Sequence, residues 1–115
     1  MSNRVSDETE ALQVLGGILE EAMDAGANVV ELEYVDSGLE ACYMLGNIGI
    51  GTPIKAELEG ELIRIIAKKA KLGKRPRGRM HMDLNGQKHT IIVEEYQSFG
   101  ELAFKLILEK PNVIN

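Results

Sequence analysis

Tryptophan is absent and only 4% of the 115 residues are aromatic. A groove that stacks successive bases needs more rings than that, so single-stranded nucleic acid is an unexpected partner. The formal net charge of −5 points the same way, because nucleic-acid binders carry a basic excess. A single cysteine, Cys42, excludes an internal disulfide and a multi-cysteine zinc site, and it fits a reducing compartment. No apolar run reaches the length of a membrane span, and the start MSNRVSDETE has neither the basic nor the apolar region of a secretory signal. A cytoplasmic protein without membrane insertion is expected. The glycines of Gly46-Asn47-Ile48-Gly49-Ile50-Gly51 lack the Gly-Lys-Ser/Thr ending of a phosphate-binding loop, and no other stretch supplies one. They read as a flexible loop.

What remains is ordinary for one globular domain: 44% hydrophobic and 27% charged residues, enough to bury a core without staples. Residues 1–115 are expected to form a single domain with flexible ends at 1–6 and 110–115, and the chain reads as a complete small protein. Charge is unevenly spread. From Leu62 to Met82 there are eight cations (Arg64, Lys68, Lys69, Lys71, Lys74, Arg75, Arg77, Arg79) and no acid. Such a split suits an anionic partner or self-association between unlike surfaces, although the end of a helix also favours cations.

Asp7 with Glu10 three residues on reads as an N-cap and capping box, followed by apolar residues at helical spacing from Ala11 to Met23, with Gly26 as the terminator. Val29–Val35 and Leu39–Leu45 alternate around the turn Asp36-Ser37-Gly38 and predict a hairpin. Thr52 and Pro53 read as N-cap and first residue of a second helix, with Ile54, Leu58, Leu62, Ile65, Ile66 and Ala70 on one side and Gly73 as the stop.

Asn85-Gly86 then stands between two alternating runs and predicts a hairpin with a type I′ turn, because both residues tolerate positive φ. A two-residue loop fixes the register: Met82 faces His89, His81 faces Thr90, Met80 faces Ile91 and Arg79 faces Ile92. Met80, Met82, Leu84, Ile91 and Val93 share the core face; Arg79, His81, Asp83, Lys88, Thr90 and Ile92 share the wet one. Glu101–Leu108, bounded by Gly100 and Pro111, is short for a helix and reads as a last strand. The fold class is α+β, an antiparallel sheet with helices mainly on one face, in the order α-ββ-α-βββ.

Gly26-Ala27-Asn28-Val29-Val30-Glu31-Leu32-Glu33, the strand pair to Leu45, Gly78-Arg79-Met80, Ile91-Ile92-Val93 and Gly100-Glu101-Leu102-Ala103-Phe104-Lys105-Leu106-Ile107-Leu108 follow one another in a telling order. Together they resemble the PAS-like N-terminal domain of type II secretion and type IV pilus ATPases, whose pattern runs roughly G-A-S-D-I-H-I-E, R-I-D-G, D-G-R-I, F-R-V-S and G-E-K-V-V-L-R-I-L. The likeness spans about residues 16–109. It implies a PAS-like fold and descent from a domain that sits over a hexameric motor and lends arginines to the nucleotide. It does not imply an ATPase here, since no Walker A element is present. The family's Asp and His in the first strand fall on Val29 and Glu31. Arg79 matches the arginine of D-G-R-I, whereas that of F-R-V falls on Ile92. Two arginines at the facing positions 79 and 92 would pinch a phosphate, and Ile92 removes one of them.

No nucleophile, base and oxyanion set appears, so an enzyme, a metal and a cofactor are not expected. His81 and His89 point to opposite faces and cannot share an ion. Glu94 and Glu95 are adjacent in a strand and diverge, which does not suit a catalytic carboxylate pair. Cys42 reads as an inert thiol. The expected function is a non-catalytic interaction or regulatory module of a secretion or pilus system, with Arg75, Arg77, Arg79 and His81 as an anion or partner contact. Ile92 is the interface candidate, and a homodimer could form by pairing of the last strand's edge. The competing expectation is a nucleotide or cyclic-dinucleotide binder using Arg75, Arg77 and Arg79.

Overall fold

The computed structural model describes the backbone of residues 4–109 and the side chains of residues 8–109. Helix α1 (Arg4–Asp24) already includes Asp7, so the chain enters the helix one turn earlier than the capping box suggests. Of the ends expected to be flexible, residues 4–6 belong to α1, and residues 1–3 and 110–115 lie outside the described part. At the other end of α1, Gly26 takes φ +89 and Ala27 N–H donates to Ala22 C=O at 2.8 Å, the six-to-one bond that closes a helix with a left-handed residue.

The strands are β1 (Val29–Val35), β2 (Gly38–Leu45), β3 (Ile48–Pro53), β4 (Arg77–Leu84), β5 (Gln87–Ser98) and β6 (Glu101–Leu108), with α2 (Ala56–Lys69) between β3 and β4. The glycine-rich stretch is thus a strand, and the order is α-βββ-α-βββ. Gly46-Asn47 is a tight turn that pairs Leu45 with Ile48. Glycine suits β3 because its positions fall under larger neighbours: a Cβ on Gly51 would lie 2.8 Å from the Glu40 carboxylate. Pro53 does not begin α2. It pairs with Glu40 at the end of an edge strand, where its missing N–H costs no ladder bond, and Lys55 precedes the helix. The helix stops before Gly73: Lys71 at φ 56 takes the left-handed position, and Leu72 N–H donates to Ala67 C=O at 2.9 Å.

All six strands form one antiparallel sheet in the order β3-β2-β1-β6-β5-β4. The last strand is therefore interior, hydrogen-bonded to β1 on one side and β5 on the other, and has no free edge for self-pairing. The edges are β3 and β4. The β4–β5 register is as the turn dictates, including Arg79 opposite Ile92 and Met82 opposite His89. Both helices pack on one face and on each other. Leu15, Leu19, Leu62 and Ile66 meet Val30, Leu32, Met80, Leu84, Ile91, Phe104 and Leu106 there, all essentially without solvent exposure. The opposite face carries no element among the described residues. Antiparallel sheets tolerate one wet face, and it is this face that holds the polar chemistry of the chain.

Candidate functional site

Alternation sends Arg77, Arg79, His81 and Asp83 of β4 to the open face, and the neighbouring strand adds Thr90, Ile92, Glu94 and Tyr96 from β5. Two rows cross the sheet from there. One runs Arg79, Ile92, Ile107 and Val29; the next runs Arg77, Glu94, Lys105, Glu31 and Cys42. The first row is apolar at its centre. The second alternates in charge.

Arg75 is exposed in the loop before β4, while Arg77 and Arg79 are exposed two residues apart on one edge strand, about 7 Å along it. They do not form a bare cationic cluster. Arg77 Nε lies 3.4 Å from a Glu94 carboxylate oxygen, and its guanidinium is already matched. An anion placed there would compete with Glu94. His81 is exposed, with Nδ1 3.2 Å from the Thr90 hydroxyl. Ile92 is half-buried rather than exposed, because β5 is interior and Ile107 of β6 stands beside it. It forms the middle of the apolar row rather than a protruding side chain.

A shallow cleft of about 420 Å³ opens next to this row, between Pro76, Arg77, Glu94, Tyr96, Lys105 and Glu31. Its floor is organised by Tyr96. The phenol stands 3.0 Å from Glu31 and 2.8 Å from Glu33, and its single proton serves one carboxylate at a time. Ser98 donates its hydroxyl to Glu33 at 3.1 Å. The hydrogen bond from Tyr96, then that from Ser98 and a contact with Glu31, hold Glu33 below the usual carboxylate range against the opposing effect of burial. Burial, then the two carboxylates, push the Tyr96 phenol well above its ordinary value. Such a phenol stays protonated at neutral pH and is a donor, not a nucleophile.

Cys42 sits on the same face. Burial, followed by Glu40, Glu31 and Glu33, raises its thiol, which makes a thiolate harder to form and fits an inert side chain. His89 lies on the helix side, 4% exposed, and the two histidines are on opposite faces. Its Nδ1 has no hydrogen-bond partner among the described residues, and it borders a small cavity at the end of α1 with Met23, Gly26, Asn28 and Leu108. Among the described residues no group of His, Cys, Asp and Glu has the arrangement of a metal site.

Two features escape a reading of the sequence. The Tyr96–Glu31–Glu33–Ser98 cluster depends on β1 lying beside β6, and nothing local announces that adjacency. Phe99 is the other. It lies in the turn between β5 and β6 at φ 53 and is 101% exposed, beside Val35. The turn is legible from Phe99-Gly100, but an aromatic residue in a left-handed turn position is not what turn chemistry favours.

No helix among the described residues is long and apolar enough to cross a membrane. Compared with known proteins, the chain matches no family model and no curated sequence.

Proposed function

We propose that this chain is a non-catalytic protein-interaction module, a relative of the PAS-like N-terminal domain of secretion and pilus motor ATPases. The observation that carries the reading is the open sheet face, where Ile92 and Ile107 make an apolar strip ending at the exposed cation Arg79. A strip of that kind suits a partner surface with an apolar patch and a carboxylate rim. Arg75, Arg79 and His81 would supply the charge-matched edge. The kinship is supported by the sequence likeness and by two helices packed on a single antiparallel sheet.

The direct test is a titration of the chain against a purified secretion or pilus motor ATPase, with Ile92→Asp as the comparison. The wild-type chain binds, and Ile92→Asp weakens binding at least about tenfold with the fold retained, because position 92 is only half-buried. Equal binding by both chains would overturn the role of the strip. The nucleotide reading is tested alongside by calorimetry with ATP, a cyclic dinucleotide and a short oligonucleotide. The salt bridge from Arg77 to Glu94 argues against it, and the expected result is no heat from any of these ligands.

A further inference from the structure

The sheet end where β1 and β5 finish carries charge of opposite sign on its two sides. The β1–β6 ladder stops at Leu32–Phe104, and beyond it the strand ends part around a notch of about 600 Å³. Glu33, Tyr34, Val35, Asp36, Phe99 and Glu101 line the notch. Helix α2 spans the same end. Its first turn is tied to β2 by the Glu59 carboxylate, which accepts from Leu39 N–H at 3.3 Å, and its last turn meets the start of β4 where Ala70 C=O faces Gly78.

Acids therefore collect on the β1–β2 side (Asp36, Glu57, Glu59, Glu101) and cations on the β4 side (Lys68, Lys69, Lys71, Lys74, Arg75). The helix residues answer to the macrodipole. Asp36, Glu101, Lys71, Lys74 and Arg75 lie outside the helix and do not. Among the described residues, the cations of the β4 side have no carboxylate within salt-bridge distance. Two charges that break the pattern are already matched, Lys55 by Glu10 and Glu94 by Arg77; Glu95, whose N–H donates to Pro76 C=O, is the acid that remains on the β4 side. Between the two sides, at the tip of the β5–β6 turn, stands Phe99. Its position is costly on two counts, a left-handed backbone and a fully hydrated ring.

An acidic patch, an exposed aromatic and a basic patch in that order on one end form a self-complementary surface. A two-fold rotation about an axis near the aromatic lays each acidic side on the other copy's basic side. We infer that the chain dimerises end to end through this surface, with Phe99 of both copies at the centre. The acidic notch of each copy then receives the Lys74–Arg75 loop of the other. The occupant is a second copy because one chain supplies both halves of the match. The surface is distinct from the open-face strip proposed to bind a partner.

With the axis at the β5–β6 turn, only β1, β6, β5 and β4 overlap their copies, an end about 14 Å wide, and sheet plus helix are about 20 Å deep. Each copy would bury about 300 Å², or about 600 Å² in total, below the standard size of a stable interface and in keeping with a transient contact. The dimer should be weak, with a dissociation constant of about 0.1–1 mM, and loosened by salt.

Sedimentation velocity of the full chain across that concentration range tests the inference. Phe99→Asn is the first variant, since asparagine accepts a left-handed turn position and the monomer keeps its fold. It should raise the dimer dissociation constant at least about tenfold without lowering the melting temperature of the dilute chain. Asp36→Lys with Glu101→Lys, and separately Lys74→Glu with Arg75→Glu, should each abolish self-association. Mixed in equal amounts, the two charge-reversed chains should dimerise again, because each then offers the other opposite-sign contacts. A wild-type chain that stays monomeric at millimolar concentration would overturn the inference. So would a mixture that stays monomeric, or a dimer that survives Phe99→Asn and both reversals. A dimer lost only on Ile92→Asp would move the contact to the open face and refute the end-to-end arrangement, while leaving the partner strip intact.

Discussion

Gly78 and Gly60 offer a test in which one chemical change has opposite signs at two places. Gly78 is the second residue of β4, and a Cβ built on it falls on the Ala70 carbonyl oxygen, with the Leu72 side chain at 3.3 Å. The obstacle is backbone, just past the last turn of α2, held by the bonds from Ala70 N–H to Ile66 C=O and from Leu72 N–H to Ala67 C=O. It cannot swing aside as a side chain would. Gly78→Ala must push the helix end from the sheet by about an ångström, and overpacking of that kind costs about 3 kcal/mol. For a domain of this size that is about 12 °C in melting temperature, or about 2 M in urea midpoint. Gly60, on the exposed side of α2, has open space where an alanine methyl would stand. Gly60→Ala removes only the conformational freedom of glycine in the unfolded chain and should stabilise by about 0.5–1 kcal/mol. Urea denaturation of both variants, followed by circular dichroism, reads the two shifts. A Gly78→Ala midpoint within about 0.3 M of wild type would refute the close approach of strand and helix.

The other expectations concern the tyrosines and Cys42. All three tyrosines are pushed above the ordinary value of 10.0, each first by burial, so spectrophotometric titration should show no normal tyrosine until the fold opens. A phenol raised in this way contributes stability that is complete below its ordinary value of 10.0 and is lost as pH rises beyond it, and Tyr96→Phe should blunt that alkaline loss. At neutral pH Tyr96→Phe should cost about 1 kcal/mol, discounted for partial exposure. Glu33 is depressed in the fold, so its share is present above the ordinary value of 4.5 and disappears as pH falls below it. The Tyr96→Phe deficit should accordingly shrink in acid, and a deficit constant from about pH 3 to about pH 7 would contradict the Tyr96–Glu33 bond. Cys42 should react with a disulfide reagent several-fold more slowly in the folded chain than in the unfolded one. Glu40→Gln should speed the reaction, since Glu40 is the largest contributor after burial.

Local chemistry made the β4–β5 hairpin legible to the residue. Asn85 at φ 50 and Gly86 at φ 78 admit one turn, and a two-residue turn admits one register. The left-handed stop at Gly26 was legible for the same reason. The third strand was not. Gly49 and Gly51 remove the alternation that marks a strand; over Gly51 the Glu40 carboxylate of β2 lies where a Cβ would come within 2.8 Å of it, whereas Cys42 and Met44 stand at ordinary contact distance, 3.6 Å, from a Cβ on Gly49. Sheet order was equally hidden: β6 reads locally as a terminal strand, yet pairing Val29 with Ile107 and Ile92 with Ile107 places it at the centre. That placement half-covers Ile92 and brings Tyr96 to Glu31 and Glu33.

The facing pair Arg79 and Ile92 gains its meaning from the same long-range placement. In the hairpin alone, Ile92 is an apolar residue on a wet face and reads as a gap where a second arginine would grip phosphate. In the sheet it continues into Ile107, and the neighbouring Arg77 is matched by Glu94. An arginine at position 92 would place its charge between Arg79 and an isoleucine, with Thr90 and Glu94 two residues to either side on its own strand. Ile92→Arg therefore discriminates between the two readings of this face. If the surface is a remodelled anion site, the substitution restores nucleotide binding that is detectable by calorimetry and weakens with salt. If the surface is an apolar docking strip, the substitution only costs partner affinity. The strip reading expects the second result, and nucleotide binding gained by Ile92→Arg would refute it.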